Sequence, residues 1–396
     1  MILRRALPLL LAGWFLALAG GCITFHREPP RPGRTKLEAP LVVLPATTIG
    51  NYLVLEVKWD HFGPSHFLID TGASVTLVSP ALAERYRENN PPPEGIAQVR
   101  VVSARGDATI LPSVTLRKLE LGGARFEDIK VLIYDCAPLS SHLGIRIDGI
   151  LGFPLFRETL LTLDYPNSRV LLTPRHSASA GPGTPIPFNN ARHTPLISIK
   201  VGDQDLIALI DSGSDAALNL NPAGLKLEFA APPRSGVLVG TLTGDHLQQV
   251  SRLRQPLTLG DYVVDRPVVD LTDELSSLGG DVLKYFTVTF DQERNQVTFY
   301  RSSRAPLAIP ARRSTGLAFS KTPAYWRVAS VVPGSPAETA GVQEGDVVSR
   351  INGEPVARWT FARYEQLIAS DAQVRYTFVN GPAETGRTLP VFELVP

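Results

Sequence analysis

Cysteine is nearly missing from this sequence: Cys22 and Cys136 are the two in 396 residues. A disulfide framework is thereby excluded, so the fold must rest on a buried apolar core. A charge surplus is missing as well, with 39 Lys and Arg against 38 Asp and Glu for a formal +1. Proteins that grip nucleic acid carry a clear basic excess, so no such partner is expected. The seven histidines form no His-x-x-x-His pair and have no cysteine pairs beside them, which argues against a zinc site. No cofactor is expected. A Gly-x-Ser-x-Gly elbow, which would present a nucleophilic serine, is also lacking.

The long apolar run is confined to the start. "MILRR" supplies a positive segment and "ALPLLLAGWFLALA", 6 to 19, an apolar one too short to span a bilayer comfortably. It ends in "LAGGC", which resembles a bacterial lipoprotein lipobox. That resemblance implies cleavage before Cys22 and lipidation of Cys22, with residues 1–22 as leader. Loss of Arg4 and Arg5 changes the formal charge from +1 to −1 (1 − 2). Acyl chains would anchor the protein to a membrane. Ile23 follows, where Asp would signal inner-membrane retention, so an outer-membrane anchor facing the periplasm is expected. Residues 23–40, rich in Pro and charge, read as a tether.

The middle of the chain is written twice. "NYLVLEVKWD" followed by "HFLIDTGASVTLV" is matched by "TPLISIKVGD" followed by "IALIDSGSDAALNL". In each copy an alternating strand, a turn and an apolar strand lead to Asp-(Thr/Ser)-Gly. Downstream, Gly106 and Gly122 match Gly244 and Gly260, a spacing of 16 in both copies (122 − 106 and 260 − 244). Gly152 and Asp164 match Gly279 and Asp291, a spacing of 12 in both (164 − 152 and 291 − 279). Short Val-, Ile-, Leu- and Thr-rich segments broken by Gly, Asp and Pro make both halves mainly β. Gly106-Asp107 and Gly244-Asp245 read as two-residue hairpin turns with Gly first. "YPNSR" and "QERNQ" read as later turns.

A carboxylate at the end of a buried strand is costly unless something compensates it. Asp70 and Asp211 are both in that position. A single Asp-(Thr/Ser)-Gly arises by chance about once in six chains of this length at average composition. Two, at equivalent points of a duplicated lobe, do not. Here the sequence resembles the aspartic proteases of the pepsin and retropepsin type over about residues 41–301. Its markers are Asp70-Thr71-Gly72, Asp211-Ser212-Gly213 and the apolar-apolar-Gly element Ile150-Leu151-Gly152. The resemblance implies two tandem retropepsin-like β-barrel lobes, 41–176 and 177–302, with a pseudo-twofold cleft between them. It also implies catalytic Asp70 and Asp211 side by side, sharing one proton. Gly72 and Gly213 allow tight loops, and the Thr71 and Ser212 hydroxyls are expected to bond across the lobe boundary, as in the family. A Ser214 hydroxyl donating to Asp211 would favour its ionised form, which makes Asp211 the expected base. Hairpins 103–108 and 241–246 are the flap candidates, around Gly106 and Gly244, and contain no Tyr. Ser277 stands where the second apolar-apolar-Gly element calls for an apolar residue, which bears on how firmly that loop is held.

After a Pro- and Ala-containing linker, 303–311, the segment "PGSPAETAGVQEGDVVSRINGEPV" resembles a PDZ domain of the kind found with bacterial proteases. That small α+β domain would cover 312–396. Gly316-Leu317-Ala318-Phe319 is similar to its carboxylate-binding loop, with Ala318 in place of a Gly. The implied ligand is a peptide C-terminus added as a strand, and the alternative is a domain that only packs against the cleft. The whole chain reads as an aspartic endopeptidase acting on proteins or peptides. A catalytically silent, lipid-anchored peptide-binding adaptor on the same scaffold is the alternative. Both aspartates lie on one chain, so a monomer suffices.

Overall fold

The computed structural model describes residues 34–396, apart from 60–61, 90–96, 103–107, 178–181, 242–243 and 323. The leader with Cys22, most of the tether and Gly106 lie outside the described residues. The fold is mainly β.

In the first lobe, strand Phe62–Asp70 runs parallel to Gly149–Gly152, which places Asp70 opposite Gly152. Gly149–Gly152 pairs on its other side with Thr76–Val78, and Thr76–Val78 pairs in parallel with Ala124–Ile133. The second lobe repeats the knot. Strand Gln204–Ile210 runs parallel to Ser277–Leu278, which in turn pairs with Leu218–Leu220, itself parallel to Val268–Leu271. Parallel strands are covered on both faces, which explains the near-continuous apolar run before each aspartate. Phe67, Ile69, Ala208 and Ile210 are fully buried.

The lobes are stitched together by a sheet that crosses the 176/177 boundary. Hairpin Thr159–Asp164 and Arg169–Pro174 of lobe one meets hairpin Thr287–Asp291 and Gln296–Tyr300 of lobe two, Leu161 opposite Phe290. The "YPNSR" and "QERNQ" segments turn these two hairpins. Phe153, Phe188 and Phe290 stack edge to face beneath this sheet.

Two segments read as connectors are structured. Arg34–Leu37, inside the 23–40 tether, forms a strand against Ala124–Glu127. Within the 303–311 linker, Leu307–Ala308 pairs in parallel with Val264–Asp265, and Leu307 and Ile309 are buried. Both are too short to show a period, and Pro and charge dominate their composition, so pairing with a distant strand leaves no local mark.

The C-terminal domain is a sheet in the order Leu317–Lys321, Trp326–Val331, Val347–Ile351, Gln373–Asn380, Ala383–Pro390, with helix Phe361–Ser370 against it. Phe319, Trp326, Tyr364 and Tyr376 form its ring cluster. A short helix, Pro336–Thr339, is capped by Ser335, whose hydroxyl accepts from Glu338 N–H at 3.3 Å. This domain is docked onto lobe two rather than strung from it. Its closing strand Phe392–Val395 pairs with Arg312–Ser314, and Leu394 and Val395 join the apolar core of the lobes. Arg312 holds Asp270 of lobe two with two hydrogen bonds, 2.8 and 3.0 Å. The buried Arg252 guanidinium donates to the carbonyls of Arg266, Ile309, Pro310 and Pro396.

Candidate active site

The two Asp-(Thr/Ser)-Gly loops meet at the lobe boundary. Thr71 N–H donates to Ser212 Oγ at 2.9 Å, and Ser212 N–H donates to Thr71 Oγ1 at 3.0 Å. Each hydroxyl then donates onward into the opposite lobe, Thr71 to the Ile210 carbonyl at 2.7 Å and Ser212 to the Ile69 carbonyl at 2.9 Å. Both side chains have no solvent exposure. Four hydrogen bonds, all satisfied and all dry, fix one loop against the other. Thr71 and Ser212 therefore work as crossed hooks rather than as turn residues within their own loops.

This grip brings Asp70 and Asp211 together, each carboxyl set against the glycine of the other loop. The two glycines matter through space, not through backbone conformation. A Cβ on Gly72 would lie 2.6 Å from Asp211 Oδ1, and one on Gly213 2.6 Å from Asp70 Oδ1. Each glycine is the gap that admits the opposite carboxylate.

The dyad is not symmetric. Asp70 Oδ1 accepts two backbone N–H groups, Gly72 at 2.7 Å and Ala73 at 3.1 Å, whereas Asp211 Oδ1 accepts one, Gly213 at 3.0 Å. Burial pushes both pKa values up. Asp211 rises well above the usual carboxylate range, through burial first and then the charges of Asp70 and Asp215. Asp70 rises less, because the two N–H groups oppose its burial. The extra N–H donor favours the negative charge on Asp70, so the proton the pair shares is favoured on Asp211. This tendency runs against the expectation of Asp211 as the base. The Ser214 hydroxyl that was to stabilise an Asp211 anion instead accepts from Asn219 Nδ2 at 3.1 Å and from Ala216 N–H at 3.3 Å.

Ser277 has a partner that its isolated position in the sequence did not disclose. In lobe one Ile150 pairs with Leu77; its counterpart in lobe two, Ser277, pairs with Asn219, which stands where lobe one has Val78. The polar Ser277 thus meets a polar side chain across the strand. Asn219 Nδ2 reaches both Ser277 Oγ, at 3.0 Å, and Ser214 Oγ, so the crossing strand is tied directly to the Asp211 loop.

Each lobe carries a hairpin at its flap candidate, Ala97–Val102 with Ala108–Leu121 and Arg234–Thr241 with Gly244–Arg252. Gly244 and Asp245 are not the turn. They lie in the returning strand, opposite Thr241 and Gly240. A register irregularity between Ser235 and Leu238 accompanies this pairing, and such a shift leaves no local sign in the sequence. Val99, Val101 and Leu111 of the first hairpin pack toward an apolar cluster with Leu77, Ile150, Ala73 and Val75, beside the Asp70 loop.

Residues 56–155 match the family model of an aspartyl protease. The aspartyl protease domain so identified contains Asp70, Thr71, Gly72 and Gly152. Asp211 lies beyond the matched span, and its assignment rests on the internal duplication and on the crossed hooks just described. Residues 327–379 match that of a PDZ domain. No curated protein matches the chain.

In the PDZ domain, Gly316 has a φ of +93°, and a Cβ there would strike Ser335 Oγ. The Gly316 N–H is taken by Ser314 Oγ at 2.8 Å. Leu317 and Phe319 point into the PDZ core, and Ala318 is half-buried. Strand Leu317–Lys321 is the edge of its sheet, and lobe-one helix Ala137–Leu143 runs beside it. An ideal Cβ on Gly144 would lie 3.0 Å from both Lys321 Cδ and the Phe361 ring. The aspartyl protease domain thus closes the Lys321–Phe361 end of the space between PDZ strand and helix.

Proposed function

We propose that the chain is an aspartic endopeptidase that hydrolyses peptide bonds in proteins or peptides. A water lies between the carboxyls. Asp70, the anion, takes one of its protons as the oxygen attacks the scissile carbonyl, while the Asp211 proton hydrogen-bonds the carbonyl oxygen as charge develops on it. Transfer of the Asp211 proton to that oxygen completes a gem-diol. On collapse one diol hydroxyl returns its proton to Asp211, the proton gained by Asp70 passes to the nitrogen, and the C–N bond breaks to release the amine. The observation that carries this reading is the pair of half-buried carboxyls, each seated in the gap of the other loop's glycine. A silent adaptor has no use for two such acids whose ionisation opposes folding.

Incubation with unfolded protein at several pH values, with cleavage sites mapped by mass spectrometry, tests it. Expected are internal cleavages blocked by a statine-type peptide, whose hydroxyl mimics the diol. Because both carboxyls titrate high, the active pH window should extend above that of ordinary carboxylates. Intact substrate at every pH would favour the adaptor.

The PDZ domain, on this proposal, takes extended peptide C-termini along strand Leu317–Lys321 or controls access to the cleft. With the Gly316 N–H engaged, carboxylate capture falls to the loop's other N–H groups. A pull-down with free-carboxylate peptides should enrich sequences that an amidated library does not. Equal recovery from both would leave the domain an access element. The leader would place the enzyme on the outer membrane, facing the periplasm through lipidated Cys22, and one chain supplies the complete dyad.

A further inference from the structure

The Asp211 loop is held from outside its own lobe. Asn51 sits in the turn between lobe-one strands Val42–Ile49 and Tyr52–Trp59, and its Nδ2 donates to the Asp215 carbonyl at 2.9 Å. Tyr52, the next residue, is buried beside this loop, and burial first, then the charges of Asp215, Asp211 and Asp70, push its hydroxyl pKa up. The Asn51 carbonyl lies so close to Gly280 that a Cβ there would come within 2.6 Å of it. Gly280 N–H in turn donates to the Ser214 carbonyl at 2.7 Å. One turn of lobe one therefore clasps residues 214, 215 and 280 of lobe two.

The duplication makes this clasp one-sided. Thr194 and Pro195 stand at the positions of Asn51 and Tyr52 in the second copy, and neither offers a side-chain amide or a phenol. The Asp70 loop cannot be held by the same groups. The PDZ helix also reaches this turn, with Glu365 Oε1 3.9 Å from an ideal Cβ on Gly50.

We propose that Asn51, together with Tyr52, is a positioning residue that sets the Asp211 loop for reaction. The inference rests on the endopeptidase reading for its kinetic consequence, but not for its structural one. Asp211 is the member of the dyad that must keep its proton, and its surroundings are Asp70, Asp215, Tyr52 and Tyr165, with His142 and Glu365 beyond Asp215. Letting Asp215 move changes both the water access and the like charge that hold that proton.

Asn51→Ala should lower kcat about tenfold with KM within about twofold, since a small displacement of a reacting group costs rate rather than binding. Asn51→Asp keeps the shape but cannot donate while ionised. It should be equally impaired at neutral pH and recover toward wild type in acid, where its carboxyl carries a proton. Tyr52→Phe, which keeps the packing, serves as the second variant. A readout that needs no cleavage is the carboxyl-carbon NMR titration of the aspartates. The Asp211 midpoint should fall in Asn51→Ala and in Tyr52→Phe, with the Asp70 midpoint moving less. If wild type cuts nothing yet these midpoints shift, the endopeptidase reading fails and the clasp stands. Unmoved Asp211 midpoints in both variants overturn the clasp whatever the cleavage rates are.

Discussion

Asp211→Asn should lose about 10³-fold or more in kcat/KM and, at neutral pH, gain stability. The first effect follows from removing the proton donor to the scissile carbonyl, a general-acid contribution of about 10²–10⁴-fold. The second follows from linkage. The Asp211 carboxyl titrates well above its ordinary value in the folded chain, so the native state holds a proton that the unfolded state gives up more readily. The stability this proton confers is complete below the unfolded pKa, about 3.9. It is lost as pH rises through the raised folded value. An amide at position 211 never ionises and escapes that loss. The gap in unfolding free energy between variant and wild type should therefore be smaller near pH 4 than near pH 7. Asp70→Asn should be equally inactive but gain less stability, because backbone N–H groups at 2.7 and 3.1 Å already favour the Asp70 anion. Denaturant titrations at the two pH values, run beside cleavage assays, check both halves. A variant that keeps a tenth of wild-type activity, or a stability difference that does not change with pH, would contradict this account.

What could be read from residues alone was what the duplication repeats. Asp70 and Asp211, the hooks Thr71 and Ser212 and the glycines that follow them are short-range patterns copied twice, and each copy explains the other. That the glycines serve as gaps for the opposite carboxyls shows only in the fold. What escaped reading depends on partners far away in the chain. Ser214 was expected to serve the aspartate three residues before it, because that neighbour is visible in sequence; Asn219 and Ser277, which engage it through a cross-strand pair, are not. Asn51 carries no motif at all, and its partner lies 164 residues on. Gly244-Asp245 has turn chemistry, but strand register decides where a hairpin reverses, and register is set by the whole pair of strands. The linker failed for the same reason: Leu307 and Ile309 look incidental until lobe two supplies the surface that buries them.

Asp270→Ala should destabilise the folded chain by about 3 kcal/mol, far beyond what a surface ion pair provides. Asp270 is buried in strand Val268–Leu271 and receives both arms of the Arg312 guanidinium at the start of the PDZ domain. Removing the carboxylate leaves the half-buried Arg312 cation without its two-armed partner, and that loss of compensation accounts for most of the expected effect. Replacing the pair together, Arg312→Met with Asp270→Leu, removes the stranded charge and should cost less than Asp270→Ala alone. A double-mutant cycle separates the two terms. Limited proteolysis supplies the structural half of the test, since a loosened PDZ domain should expose residues 303–316 to cutting in Asp270→Ala and not in wild type. The consequence reaches the dyad, because Asp270 lies opposite Asn219 in the parallel pairing, and Asn219 is the residue that ties Ser277 to the Asp211 loop. A single variant that costs under 1 kcal/mol and leaves the connector protected would mean that apolar docking through Leu394 and Val395 holds the domain without this ion pair.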